Sequence, residues 1–161
     1  INAVVSLPDG GDVLVTWHDR LQRLAAADGR PIGASLPTGM AYVRRMVVGS
    51  DEGRCALLDD AGQVALVDLR SGAVLGSVAV AKPTDPRSGG LVFGPDGSLW
   101  VGDEQGLVRR LDGTTLAAMA AFRAEAGVTA LVCDADDTLL VATWNAAARR
   151  GRLVRYSPAG E

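Results

Sequence analysis

Gly90-Leu-Val-Phe-Gly-Pro-Asp-Gly-Ser-Leu-Trp-Val-Gly-Asp-Glu-Gln-Gly-Leu-Val-Arg-Arg-Leu-Asp112 is the stretch on which the reading of this chain turns. An apolar run, Leu91 to Phe93, meets a Pro95-Asp96-Gly97 turn. A second run, Leu99 to Val101, meets Asp103 to Gly106, and a third, Leu107 to Leu111, closes on Asp112. Short apolar runs separated by hairpin-length turn clusters predict an antiparallel meander. Pro95 presets φ and Gly97 tolerates a positive φ, so the first turn has a stated mechanism.

The same unit recurs along the chain. Its first turn returns as Pro8-Asp9-Gly10, Asp51-Glu52-Gly53 and Asp134 to Asp137, and the ends of its third strand return as Arg23-Leu24-Ala25, Leu66-Val67-Asp68 and Arg155-Tyr156-Ser157. A period of roughly 40 to 45 residues is that of a four-stranded propeller blade. Leu91 to Asp112 resembles the core of a WD-repeat blade, and Val67-Asp68-Leu69-Arg70-Ser71-Gly72 resembles its closing dipeptide and following turn. Asp28 to Gly33, leading to Leu36-Pro37-Thr38-Gly39, is similar to the link between blades in bacterial WD-repeat arrays. The resemblance covers nearly the whole chain in a degenerate form. The Trp of the closing pair is replaced by Leu24, Val67, Leu111 or Tyr156, and the Gly-His pair is missing throughout, which removes the buried Asp-His-Ser/Thr-Trp network of that family.

The expected fold is therefore all-β: a β-propeller segment of about four four-stranded antiparallel blades, spanning approximately 1–39, 40–82, 88–125 and 126–161, within one partial domain. The expected strands are Ala3 to Leu7, Asp12 to Trp17, Leu21 to Ala25 and Ile32 to Leu36; Val43 to Val48, Cys55 to Leu58, Val64 to Asp68 and Val74 to Val80; the three opening runs and Leu116 to Phe122; then Thr129 to Cys133, Thr138 to Thr143 and Arg152 to Tyr156. Leu116 to Phe122 is helix-prone by composition, but the repeat period requires an outer strand there. The last blade lacks its outer strand. Ala81 to Gly90, with Pro83, Pro86, Gly89 and Gly90, is the longest stretch without apolar periodicity and reads as an exposed loop.

At 161 residues and 48% hydrophobic content, the chain is long enough for a real core. Aromatics make up only 4%, so Val, Leu and Ala must fill that core, with many strands covered on both faces. A net charge of −3, with Arg and acidic residues interspersed, argues against a nucleic-acid footprint and against a polybasic membrane surface. No apolar run approaches the length of a membrane span, and no signal peptide is visible. Cys55 and Cys133 sit in apolar strand patterns and read as buried unpaired thiols, which favours a reducing, cytoplasmic setting. The chain begins at Ile1, which suggests a piece of something longer.

In a propeller the turn from second to third strand and the link to the next blade share one face, the recognition face of WD-repeat proteins. On it fall Trp17, His18 and Asp19; Asp59 and Asp60; Asp103 and Glu104; and Trp144, Asn145, Arg149 and Arg150. The candidate partner-binding residues are Trp17, His18, Asp60, Glu104, Trp144, Arg149 and Arg150. Trp17 and Trp144 occupy equivalent positions, after Val15-Thr16 and Ala142-Thr143, and serve either as interface anchors or as packing against the adjacent blade. Asn145 to Gly151 looks longer than the corresponding turns, as either a functional or a tolerated insertion.

His18, the only histidine, has no assignable catalytic partner and reads as a solvated turn residue. Asp134, Asp136 and Asp137 lack the glycine and distal Glu of a calcium loop and read as an acidic hairpin turn. Dinucleotide, phosphate-loop and nucleophile-elbow patterns are absent. The expected function is a protein–protein interaction module, a scaffold or sensor propeller of a larger bacterial regulatory or signalling protein, with no catalysis of its own and no cofactor or metal. A lactonase-like small-molecule or metal-dependent propeller enzyme is the alternative, and it needs convergent ligands on first strands that here carry Val, Leu, Met and Phe. The expected partners are another protein or the rest of the parent polypeptide, with the ring closed by a second propeller half or a homodimer.

Overall fold

The structure is a computed structural model, and it describes residues 1–8, 10–51, 53–82, 84–85 and 88–157. Asp9 and Glu52 of the first two turns, and Pro83 and Pro86 of the expected loop, lie outside the described residues. The described residues form fifteen strands and no helix. In order they are β1 (Ala3–Ser6), β2 (Asp12–Trp17), β3 (Arg20–Ala25), β4 (Pro31–Pro37), β5 (Val43–Val48), β6 (Arg54–Asp59), β7 (Gln63–Asp68), β8 (Val74–Ala79), β9 (Gly90–Phe93), β10 (Leu99–Gly102), β11 (Leu107–Leu111), β12 (Ala118–Arg123), β13 (Gly127–Cys133), β14 (Leu139–Asn145) and β15 (Arg150–Tyr156). They make four antiparallel meanders, β1 to β4, β5 to β8, β9 to β12 and the three-stranded β13 to β15. Asp12–Trp17, Val43–Val48 and Leu107–Leu111 coincide with the expected runs.

The helix-prone Ala stretch is strand, starting at Ala118 instead of Leu116. Its pairing with β11, Val108 opposite Phe122 and Arg109 opposite Ala121, satisfies backbone groups that a local helix would have satisfied internally. Asp112 sets up this return. Its Oδ1 accepts from the Thr114 N–H (2.9 Å), the Thr115 N–H (2.7 Å) and the Thr115 hydroxyl (3.0 Å). Asp68 does the same between β7 and β8, with Arg70, Ser71 and the Ser71 hydroxyl as donors. The residue that ends each turn is left-handed, Gly72 at φ 73° and Leu116 at φ 60°. A short-range Asx turn written twice in the sequence thus yields the same strand reversal twice.

The chain divides into two compact units, Ile1–Val78 and Ala79–Glu161. In the first, Leu14 and Leu21 from one sheet, with Leu7 just after its first strand, pack with Val43, Met46, Cys55, Leu57, Ala65 and Val67 from the next. Gln22, buried at the bulge between β3 and β4, donates from Nε2 to the carbonyls of Arg23, Ile32 and Gly33, so an interior amide finds acceptors in the distorted ladder. Both faces of β6 and β7 are buried, as a Val/Leu/Ala core with few aromatics requires.

In the second unit, Trp100, Val108, Val128, Leu131, Leu139 and Val141 form the core, with Phe122 and Tyr156 packed against it, ring centroids 4.7 Å apart. Gly90 and Gly102 are opposite each other in the β9–β10 ladder. A Cβ at either would stand 2.5 Å from a side-chain carbon of Leu131 or Val128 on β13, so these glycines permit the close approach of the two sheets. At the turns, Arg110 donates to Asp96, Asp137 and Ser98, and its guanidinium lies 5.1 Å from the Trp100 ring centroid. Asp134, Asp136 and Asp137 build the β13–β14 hairpin: Asp136 Oδ1 accepts from the Thr138 N–H at 3.0 Å, and the Asp137 N–H donates to the Asp134 carbonyl at 3.0 Å.

Both cysteines are free thiols. Cys55 is fully buried, and burial pushes its thiol far up. Cys133 is half-buried instead of buried, because it lies at the end of β13 beside the acidic hairpin. Burial, and then the Asp137 carboxylate, to which the thiol donates at 3.6 Å, push it up to about 11. No helix of the described residues is long and apolar enough to cross a membrane.

Candidate interaction surface

Four hairpins join second to third strands, and their tips carry the sequence-derived candidates. In the first unit, Trp17 ends β2 opposite Arg20 and is half-buried. His18 is exposed and left-handed at φ 51°, the conformation this two-residue turn demands of a residue that has a Cβ. The Asp19 carbonyl accepts from both the backbone N–H and the hydroxyl of Thr38, at 2.7 and 3.0 Å, which holds the link after β4 against the tip. Asp60 is half-buried, and its N–H donates to the Tyr42 carbonyl at 3.0 Å. Tyr42, half of it exposed, presents an aromatic ring that the candidate set missed. Its position in the link between two sheets was the available signal.

Asp59 and Asp103, read from sequence as part of the same acidic surface, are buried instead. Asp59 Oδ1 accepts from the Ala61 and Gln63 N–H groups at 2.9 and 2.8 Å, and Asp103 Oδ1 accepts from Gln105 and Leu107 at 3.0 Å each. They close their hairpins and present no carboxylate to a partner. Their neighbours Asp60 and Glu104 are the outward ones.

In the second unit a cavity of about 1010 Å³ opens among the loop before β9, the β10–β11 tip, the link between β12 and β13, and the upper ends of β14 and β15. Two candidates, Glu104 and Trp144, line it, together with Thr84, Glu125, Thr129 and Arg152, which the sequence reading did not select. Glu104 Oε2 accepts from the Thr84 N–H (2.6 Å), the Thr84 hydroxyl (3.0 Å) and the Asp85 N–H (3.3 Å). Burial pulls its pKa upward, but these hydrogen bonds outweigh it and hold the carboxyl below its ordinary value. Glu125 pairs with Arg152. Thr129 donates to the Ala142 carbonyl at 3.2 Å. The carboxylates of Glu104 and Glu125 are thus already engaged, and Trp144, 41% exposed, supplies the large apolar surface.

Arg149 and Arg150 are not among the cavity walls. The stretch Asn145 to Gly151 is not the extended loop expected. β14 and β15 continue their ladder to the Asn145–Arg150 pair, and only residues 146–149 form the turn, with Arg149 left-handed at φ 48°. The extra residues lengthen the strands, because the antiparallel ladder satisfies backbone groups that a free loop would leave to water. Trp17 and Trp144 consequently differ despite their equivalent positions: Trp17 is half-buried where its hairpin ends, while Trp144 sits within a longer ladder, opposite Gly151. Among the described residues no cluster of three or more His, Cys, Asp or Glu could hold a metal ion.

No protein-family model matches the chain, and comparison with curated proteins finds no match. Solved structures do match. The RRP9 WD40 repeats superpose with a TM-score of 0.74 at 16% identity, covering 94% of this chain and 50% of that one. The WD40 β-propeller domain of Doa1 gives 0.71 at 15% identity, covering 94% and 49%. Hydrazine synthase from Kuenenia stuttgartiensis gives 0.75 at 14% identity, covering 98% and 52%. The chain therefore spans about half the length of the structures it matches. At these identities the likeness speaks to architecture: the fold is a WD40-type β-propeller segment of four antiparallel blades, the last with three strands.

Proposed function

We propose that this chain is a protein-interaction module without catalysis of its own, a scaffold or sensor propeller within a larger regulatory or signalling protein. The observation that carries the reading is Trp144, 41% exposed on the wall of a cavity of about 1010 Å³ whose two glutamates are already bonded within the fold. An exposed indole beside a preformed cavity is suited to anchor a partner side chain. Carboxylates held in place by Thr84 and Arg152 have little freedom to move protons or to ligate a metal. Trp17, His18 and Asp60 on their own hairpin tips, and Arg149 and Arg150 on theirs, are further contacts of this reading.

Segments 1–39, 40–82, 88–125 and 126–161 act in it as successive blades of one partial propeller. The RRP9 and Doa1 likenesses, each over about half of the other chain, support completion of the ring by a second segment: the rest of a parent polypeptide or another copy. Free thiols at Cys55 and Cys133 fit a reducing cytoplasm, and the larger regulatory protein of this reading is a bacterial one. Comparing capture of partners from the parent organism by wild type and by Trp144→Ala, both folded by circular dichroism, tests the surface. Equal capture by the two proteins refutes it. Sedimentation equilibrium tests completion: a stable 16.6 kDa monomer that binds no apolar dye contradicts it.

A further inference from the structure

We infer that the polar corner of the second unit's cavity, built from Glu104, Ser88 and Thr143, receives the ammonium group of a lysine side chain from a partner protein. This deepens the interaction-module reading above and rests on it, since it names what the partner inserts. Glu104 is held in place but not neutralised. Its Oε2 takes the Thr84 N–H, the Thr84 hydroxyl and the Asp85 N–H, all uncharged donors, while Oε1 takes no hydrogen bond among the described residues. Asp12, Asp51 and Asp96 each pair with an arginine, and the cavity's own Arg152 pairs with Glu125. No cation pairs with Glu104 among the described residues, and the like charge of Asp85 acts against it. The corner therefore offers an ionised carboxylate with one oxygen to spare.

The second observation is independent of charge. Ser88 and Thr143 are only 8% and 5% exposed, both line the cavity, and neither hydroxyl makes a hydrogen bond among the described residues. Hydroxyls buried to that degree are ordinarily paired. A short chain of contacts gathers all three side chains. The Asp85 N–H donates to Glu104 at 3.3 Å, and the Ser88 N–H donates to the Asp85 carbonyl at 3.0 Å. The Gly89 N–H donates to the Val128 carbonyl at 2.8 Å, and Val128 stands opposite Thr143 in the β13–β14 ladder. Val128 packs over Gly102 of β10, so the corner lies where the β9–β12 sheet meets the β13–β15 sheet.

Three single acceptors, one of them anionic, suit an ammonium group, which carries three donors and no acceptor. A guanidinium is matched less well, because its planar fork seeks both oxygens of a carboxylate and Oε2 of Glu104 is already taken. Ala126 and Gly127 on the same wall accept the aliphatic stem of a lysine. The cavity, at about 1010 Å³, is far larger than one side chain, so residues flanking the lysine enter with it, which favours a protein segment over a free amine.

The test uses the full 161-residue protein and a blocked peptide, Gly-Ala-Lys-Ala-Gly, with norleucine, acetyl-lysine and arginine versions as controls. Titration followed by NMR reads affinity and site together. The expected result is binding of the lysine peptide, with shifts centred on residues 84–85, 88–89, 104, 128 and 143, and about tenfold weaker binding of the norleucine and acetyl-lysine peptides. The arginine peptide should bind more weakly than the lysine one. Glu104→Gln, which keeps an acceptor for Thr84, should lose about tenfold in affinity, and Thr143→Val about three- to tenfold. Equal binding of the norleucine or acetyl-lysine peptide, shifts elsewhere, or no binding at millimolar peptide overturns the inference, and these controls hold even if a variant fails to fold. Tighter binding of 1,5-diaminopentane than of the lysine peptide would make a small amine the occupant. Self-association abolished by Lys82→Met would make it a second copy, and either result overturns the inference. Capture that depends on Trp144 without lysine selectivity removes this inference and leaves the interaction reading. Lysine selectivity with capture indifferent to Trp144→Ala supports this inference and removes the role of the indole.

Discussion

Asp59 and Asp103 close equivalent hairpins with the same pair of hydrogen bonds, each carboxylate oxygen accepting from the second and the fourth following N–H. Both side chains are almost fully withdrawn from solvent, and their loss removes the acceptor of two backbone N–H groups in each hairpin. Asp59→Ala and Asp103→Ala are each expected to cost about 1–3 kcal/mol. The Asn variants, which keep an acceptor oxygen, should cost less. Urea denaturation of the four variants measures both, and equal losses for Ala and Asn would show that the charge, not the acceptor, matters.

Gly90 and Gly102 form a second repeat-independent constraint. Their missing side chains make room for Leu131 and Val128. Gly102→Ala should destabilise by about 1–3 kcal/mol through overpacking. Shortening the facing side chain in Gly102→Ala/Val128→Ala should recover part of that loss, and a strictly additive double variant would argue against the contact.

Arg110 ties the β9–β10 and β13–β14 turns together through Asp96 and Asp137. Burial raises the Asp96 carboxyl, but hydrogen bonds from Ser98 and the charge of Arg110 outweigh it and set the carboxyl below its ordinary value of 3.8. A folded pKa below the unfolded one means that the stabilisation is complete above pH 3.8 and disappears as pH falls through the folded value. Arg110→Leu should lower stability at neutral pH by about 1–3 kcal/mol. Its stability should also fall less steeply below pH 4 than that of wild type, which pH-dependent thermal melts will resolve.

Trp144 and Trp17 should separate experimentally. Trp144→Ala is expected to weaken partner binding by about 2 kcal/mol with little change in Tm. Half-buried Trp17 should lose stability as well when truncated, by about 1–2 kcal/mol. Calorimetry on both variants checks the contrast, and a large Tm drop for Trp144→Ala would make it a packing residue.

The thiols offer an independent check of the core. With Cys133 pushed up to about 11, little thiolate exists at pH 8, and Cys55 has no access to solvent. Native protein should react slowly with Ellman's reagent at one thiol and not at the other, and unfolding in guanidinium should expose both. Rapid reaction of two thiols in the native state would contradict the buried position of Cys55.

Much of the architecture was written locally. Pro95-Asp96-Gly97, the repeated Asp turns at Asp68 and Asp112, and apolar runs such as Val43–Val48 carry their own backbone preferences, so strands and reversals could be read in order. Ala118–Arg123 was legible only through the period, because its composition favours helix and the deciding hydrogen bonds come from β11. The site was less legible, and for a physical reason. Trp17 and Trp144 occupy matching places in the repeat, yet only register and neighbouring strands determine that one is half-buried and the other exposed. Adjacent acids look alike in sequence, whereas packing turns Asp59 and Asp103 inward and leaves Asp60 and Glu104 outside. The cavity wall joins Thr84, Glu125 and Arg152 from distant segments, which come together only once the strands have found their partners. Turn chemistry acts over a few residues and is therefore readable along the chain; burial, register and edge exposure are properties of the assembled sheets.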